Sequence, residues 1–150
     1  MIITVVCDVL GEENNGTTIA AMNLIRHLKN SGHTVRILCG DQHKKGEPDY
    51  YVVPNLSFGK LLNRYVEKVG VTLAKPEKTV IRKALKGADH VHIMVPLPLG
   101  IAACKVAREL NISMTAGFHM QAENFTTHLK MNKLQPLNKY VYKFIWKHLY

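Results

Sequence analysis

The sequence predicts an α/β fold: a Rossmann-like, mostly parallel sheet with helices on both faces. Two observations carry this expectation. Short apolar runs recur along the chain, and between them lie segments whose apolar residues repeat at helical spacing. Parallel neighbours need long right-handed crossovers, which helices supply. At 150 residues the chain suits one core. No internal repeat, low-complexity tract or flexible linker interrupts it.

Residues 2 to 7 form the first predicted strand, ending at Cys7-Asp8, and the polar stretch from Gly11 to Thr17 leads into a helix. From Thr18, residues Ala21, Leu24, Ile25 and Leu28 share one helical face, and Gly32 stops the helix. His33 to Cys39 is a second strand, Gly40 to Asp49 a charged loop, and Tyr50 to Val53 a short third strand. Residues 60 to 70 and 76 to 86 read as two helices broken at Lys75-Pro76. Val91 to Val95 is a fourth strand, stopped by Pro96-Leu97-Pro98. Leu99, Ala102, Ala103, Val106 and Leu110 then mark a helical face, and Ser113 to Phe118 is a fifth strand.

Hydrophobic residues make up 47% and charged residues 21%, a composition that folds rather than staying disordered. No apolar run is long enough to cross a bilayer, and the strand-like start lacks the basic opening of a signal peptide, so a cytoplasmic location is expected. Cys7, Cys39 and Cys104 lie far apart within apolar segments and read as buried thiols. The formal charge of +9 attracts anions of many kinds. Nucleic acid is disfavoured as a partner, because neither a basic recognition helix nor a sheet interleaved with aromatics appears among the five strands.

In an open parallel sheet, ligands gather beyond the carboxyl ends of the strands, which points to the loops after strands one, four and five. The first carries Asn15, Gly16 and Thr17 directly before a helix, where backbone N–H groups and the helix dipole suit a phosphate oxygen. The same residues also simply turn a chain and cap a helix. The loop is neither a G-x-G-x-x-G fingerprint nor a P-loop, which argues against hydride and phosphoryl transfer. His119 follows strand five, with Gln121, Glu123 and Asn124 just beyond it. That histidine is placed to bind sugar hydroxyls, to position the reacting group, or simply to bond the nearby backbone. His90 and His92 share a strand face. A metal there would need a third ligand that the sequence does not offer, and the alternative is histidines packed or bonded within the sheet.

The strings Asn15-Gly16-Thr17-Thr18, Leu28 to Val35, His90-Val91-His92-Ile93 and Gly117-Phe118-His119-Met120 occur in an order that resembles the N-terminal half of family 4 glycosyltransferases. The resemblance covers most of residues 1 to 129. It implies one half of a GT-B fold, two Rossmann-like domains facing across a cleft, with anomeric configuration retained. By this resemblance residues 1 to 150 are the acceptor-side domain, and a second domain, absent here, binds the nucleotide sugar. Gly16 and Thr17 match the loop that approaches the donor phosphates, and His119 the histidine facing the transferred sugar. The family's usual Gly-Gly is Asn15-Gly16 here. The paired glutamates and the basic residues that neutralise the leaving diphosphate belong to the second domain. The complete protein is thus expected to be a hexosyltransferase and this domain alone to be inactive, with no cofactor or metal required.

From Leu137 to Tyr150 a helical arrangement gathers apolar and aromatic residues on a wide arc and Lys139, Lys143 and Lys147 on a narrow stripe. Such a helix suits an anionic membrane surface, with Trp146 at the boundary; the alternative is an apolar arc that packs on the same domain or on the missing one, as such arcs more often do. The basic aromatic segment resembles that of lipid-glucosylating members such as diacylglycerol glucosyltransferases, which would place the protein at the inner face of the cell membrane with a sugar or lipid acceptor. The competing reading is a non-catalytic Rossmann-like module that holds an anionic partner in the same cleft.

Overall fold

A computed structural model describes residues 1–8, 10, 16–57 and 73–117, together with 140, 143 and 147. The strands β1 (Ile2–Cys7), β2 (Thr34–Cys39), β3 (Tyr50–Val52), β4 (His90–Ile93) and β5 (Ser113–Ala116) form one sheet in the order β3-β2-β1-β4-β5. Every pairing is parallel. The helices are α1 (Gly16–Asn30), α2 (Lys78–Leu85) and α3 (Pro98–Glu109).

The apolar run of β1 is explained by its central place, which buries both of its faces. Ile3, Val5 and Cys7 join Val35, Ile37 and Cys39 of β2 against Ala21 and Ile25 of α1. Val6 turns the other way and joins Leu38, Val91 and Ile93 beneath Ile81 and Leu85 of α2 and Leu99 and Ala103 of α3. The helices therefore cover both faces, and the sheet separates two cores.

Helix ends follow local chemistry. At the end of α1 the amide of Gly32 donates to Lys29 (3.0 Å) and that of His33 to Leu28 (3.1 Å), while Gly32 takes a φ of +80°. This is a Schellman stop, which needs a residue comfortable in the left-handed region. The end of α2 is closed by side chains from the sheet. The Thr4 hydroxyl (3.0 Å) and the Arg36 guanidinium (3.1 Å) both donate to the Ala84 carbonyl, and Arg36 also donates to that of Lys86 (2.6 Å).

Expected boundaries shift at a few ends. Helix α1 begins at Gly16 rather than Thr18, and α2 spans Lys78–Leu85 within the expected 76 to 86. Strand β3 stops at Val52, although the amide of Val53 still donates to Cys39 (2.9 Å). Strand β4 runs His90–Ile93, not to Val95, because the chain turns there for α3 and the amide of Leu97 donates back to Val95 (2.9 Å). Strand β5 ends at Ala116. Phe118 and the helix expected over 60 to 70 lie outside the described residues.

Because the Ala84 carbonyl is shared by two donors, losing one leaves it satisfied by the other. Thr4→Val is expected to cost about 1 kcal/mol, and the pair Thr4→Val/Arg36→Met more than the sum of the single changes, measured by urea unfolding.

Candidate functional site

Strand β1 has β2 on one side and β4 on the other, so the crossovers leaving β1 and β4 diverge, which makes a topological switch point between them. Strand β2 starts level with the start of β1, with Thr34 opposite Ile2. Helix α1, ending just before it, runs back along the sheet for 15 residues, about 22 Å at the usual helical rise. Its N-terminus thus lies towards the carboxyl ends of the strands, as does that of α3.

Asp8 sits directly after β1 and is only 2% exposed. Its Oδ1 accepts from the amide of Leu99 and its Oδ2 from that of Gly100, both at 3.0 Å. Helix α3 needs this from outside: the residue at its N-cap is Leu97, which offers no side-chain bond, and its first turn holds no acid. Asp8 therefore caps α3 from across the switch point, satisfying two of the amides that a helix start leaves unpaired. Burial raises the Asp8 carboxyl to about 6, and the two amide bonds oppose that rise.

Two glycines let the surroundings close around Asp8. A Cβ on Gly100 would lie 2.5 Å from the Val95 carbonyl oxygen and 2.9 Å from Cγ2 of Ile93, so the first turn of α3 packs directly on the end of β4. A Cβ on Gly40 would meet Ala74 at 2.9 Å and the Asp8 carbonyl oxygen at 3.3 Å. The loop after β2 thereby abuts the end of β1. Gln42 fixes that loop by donating to the carbonyls of Gly40 (3.0 Å) and Val53 (2.7 Å).

Of the residues singled out in the sequence, Gly16 and Thr17 open α1; Gly16 is exposed and Thr17 half-buried. A Cβ at Gly16 would meet nothing within 4 Å, and the first turn of α1 holds no acid. Like the start of α3, this helix start has no carboxylate from its own first turn, and the described protein atoms leave room beside it. Lys143 and Lys147 are helical and exposed, and Tyr140, 61% exposed, shares that side at helical spacing. Asn15, His119, Gln121, Glu123, Asn124, Lys139 and Trp146 lie outside the described residues.

His90 and His92 are bonded within the sheet. His90 contacts the hydroxyls of Ser113 (2.8 Å) and Thr115 (2.9 Å), and His92 that of Thr115 (2.8 Å). No cluster of three metal-ligating side chains occurs among the described residues. The three cysteines are buried thiols, as expected. Burial pushes Cys39 up to about 11 and Cys104 also upward, which keeps both protonated and poorly nucleophilic. No described helix is long and apolar enough to cross a membrane.

Sequence reading missed Asp8. An acid directly after a largely apolar strand, in a loop at the carboxyl end of the sheet, was the available signal, but its partners lie 91 and 92 residues further on.

The family model described as Glycosyltransferase Family 4 matches residues 14–149. No curated protein matches the chain. Among solved structures, the C-terminal domain of a hydrogenase from Pyrococcus furiosus is similar, with 15% identity and a TM-score of 0.47, over 78% of this chain and 90% of that one.

Removing the Asp8 carboxylate orphans two amides, so Asp8→Ala is expected to cost about 1–3 kcal/mol at pH 7. A raised carboxyl holds its proton more tightly in the folded state. Its stabilising contribution is full below the unfolded value of 3.8 and is lost as pH rises through about 6. Denaturant unfolding should therefore show the cost of Asp8→Ala growing by up to about 3 kcal/mol as pH falls from 7 towards 4. A cost larger at pH 7 than at pH 4 would contradict this account.

Proposed function

The chain belongs to glycosyltransferase family 4, and from that membership we propose that it is the acceptor-side half of a GT-B enzyme moving a hexose from a nucleotide sugar to a membrane lipid, with retention of anomeric configuration. The observation that carries the reading is the family match over residues 14–149, which spans α1 and every described element after it. The family supports glycosyl transfer in general; donor, acceptor and stereochemistry are our assignment.

In this reading the diphosphate of the donor lies against Asn15, Gly16 and Thr17, where helix amides and the dipole favour negative charge. The open space beside Gly16 and the lack of an acid in the first turn of α1 support that placement. His119 faces the transferred sugar, and Gln121, Glu123 and Asn124 hold hydroxyl groups. A second α/β domain binds most of the nucleotide sugar and stabilises the leaving diphosphate. This half orients the acceptor hydroxyl and excludes water, contributions that act through positioning and electrostatics. The half alone has no turnover.

The lipid acceptor is supported by the formal charge of +9 and by the exposed, helical Lys143 and Lys147. With Lys139 and Trp146 they make the contact with anionic headgroups at the inner face of the cell membrane.

Three experiments test these assignments. Co-sedimentation with phosphatidylglycerol vesicles, against phosphatidylcholine and across a salt series, should show anionic binding that Lys139→Glu/Lys143→Glu/Lys147→Glu abolishes. Absence of binding at low salt would remove the lipid and leave a soluble acceptor. In the protein carrying both halves, His119→Ala should lower kcat by roughly 10²-fold or more, and unchanged turnover would remove that histidine from the reaction. Gly16→Ala should weaken donor binding while leaving thermal stability unchanged or raised, because Ala suits a helix better than Gly; unaltered donor affinity would move the diphosphate elsewhere.

A further inference from the structure

Strands β4 and β5 have two unlike faces. Val91 and Ile93, with Met114 and Ala116 beside them, belong to the core under α2 and α3. The other face pairs His90 with Ser113 and His92 with Thr115, and its four polar side chains are hydrogen-bonded to one another in a line.

The direction of that line follows from counting protons. The Ser113 hydroxyl donates to the Asp89 carbonyl (3.0 Å), a group that only accepts. Its one proton is thereby committed, so at its 2.8 Å contact with His90 the serine oxygen accepts and Nδ1 donates. A neutral imidazole carries one N–H. Nε2 of His90 therefore accepts, and the Thr115 hydroxyl donates to it (2.9 Å). With that proton committed too, the threonine oxygen accepts from Nδ1 of His92 (2.8 Å). The starting point is firmly held: the Asp89 amide donates to the Ile2 carbonyl (2.8 Å) and its carboxylate accepts from the Ile2 amide (2.6 Å).

We propose that Asp89, Ser113, His90, Thr115 and His92 form one directional hydrogen-bond chain that holds both neutral histidines as Nδ1–H tautomers and presents Nε2 of His92 as an acceptor. A neighbouring group on that side of His92 consequently donates, as a hydroxyl or an amide N–H does, and a carboxylate or carbonyl is refused. His92 sits one residue before Ile93, whose carbonyl accepts from the Gly117 amide (2.7 Å) where the chain leaves β5. The acceptor end of the line thus points the polarity set at Asp89 towards the strand ends. The inference is independent of the glycosyl-transfer reading.

The test is long-range ¹H–¹⁵N correlation of the histidine rings in the uniformly labelled full chain at alkaline pH. Both His90 and His92 should show the Nδ1–H pattern, which is the minor form of free imidazole side chains in water. Ser113→Ala touches His90 and not His92, yet it releases the direction of the whole line, so Nε2–H should become the major form at His92. Thr115→Val should give the same change, and Thr115→Ser should keep the wild-type pattern. An Nε2–H pattern at either ring of the wild type overturns the proposal, as does a His92 pattern that Ser113→Ala leaves unaltered; the wild-type spectrum decides alone if a variant fails to fold.

Discussion

The bond pair from Asp8 to the first amides of α3 is the contact on which the carboxyl end of the sheet depends. Burying a carboxylate is costly, and its raised pKa records that cost. What offsets it is geometry available only at a helix start: two amides at 3.0 Å, one to each oxygen, with the helix dipole behind them. The contact joins the central strand to a helix that enters beside β4. It therefore fixes the separation of the two loops that diverge at the switch point, and any ligand held between them inherits that spacing.

Most of this architecture was legible in the residues. Alternation of apolar runs with helical periodicity gave all five strands and the three described helices, because a parallel sheet buries its strands on both faces and leaves a strong local pattern. Ends were less legible, since β4 gives up Met94 and Val95 to the turn into α3 for reasons that involve Gly100, seven residues after Ile93. The histidine pair shows the same limit. Spacing put His90 and His92 on one face, but their partners Ser113 and Thr115 become visible only with the register between β4 and β5. Asp8 was the largest omission: an acid after a strand reads as the start of a loop, and nothing local says that it turns inward. For the start of α1 the residue types suggested an anion site, and the described surroundings of Gly16 are compatible with one. The remaining candidate residues of the cleft fall outside the described part of the chain.

The charge of the protein is organised rather than diffuse. Among the described acids, Asp8 is buried against α3, Asp89 holds the amide of Ile2, and Asp41 caps the short turn Gln42–Lys44 through the His43 amide (3.0 Å). Asp49 pairs with Lys29, Glu47 with Lys44, and Glu109 with both Lys78 and Arg82. These exposed ion pairs add little stability each. Their larger effect is to engage negative charge locally while lysines such as Lys83, Lys86 and Lys105 stay exposed, so that the long-range field is positive.

Among the described strands, the two at the borders of the sheet, β3 and β5, are short, with three and four residues. An outer strand is a template on which another chain can add, and the strength of such addition grows with the length of backbone on offer. Here the template is clipped on both sides, and on β5 it carries serine and threonine whose hydroxyls already serve the neighbouring strand. Short borders of this kind favour dispersed molecules over growth into β-linked aggregates.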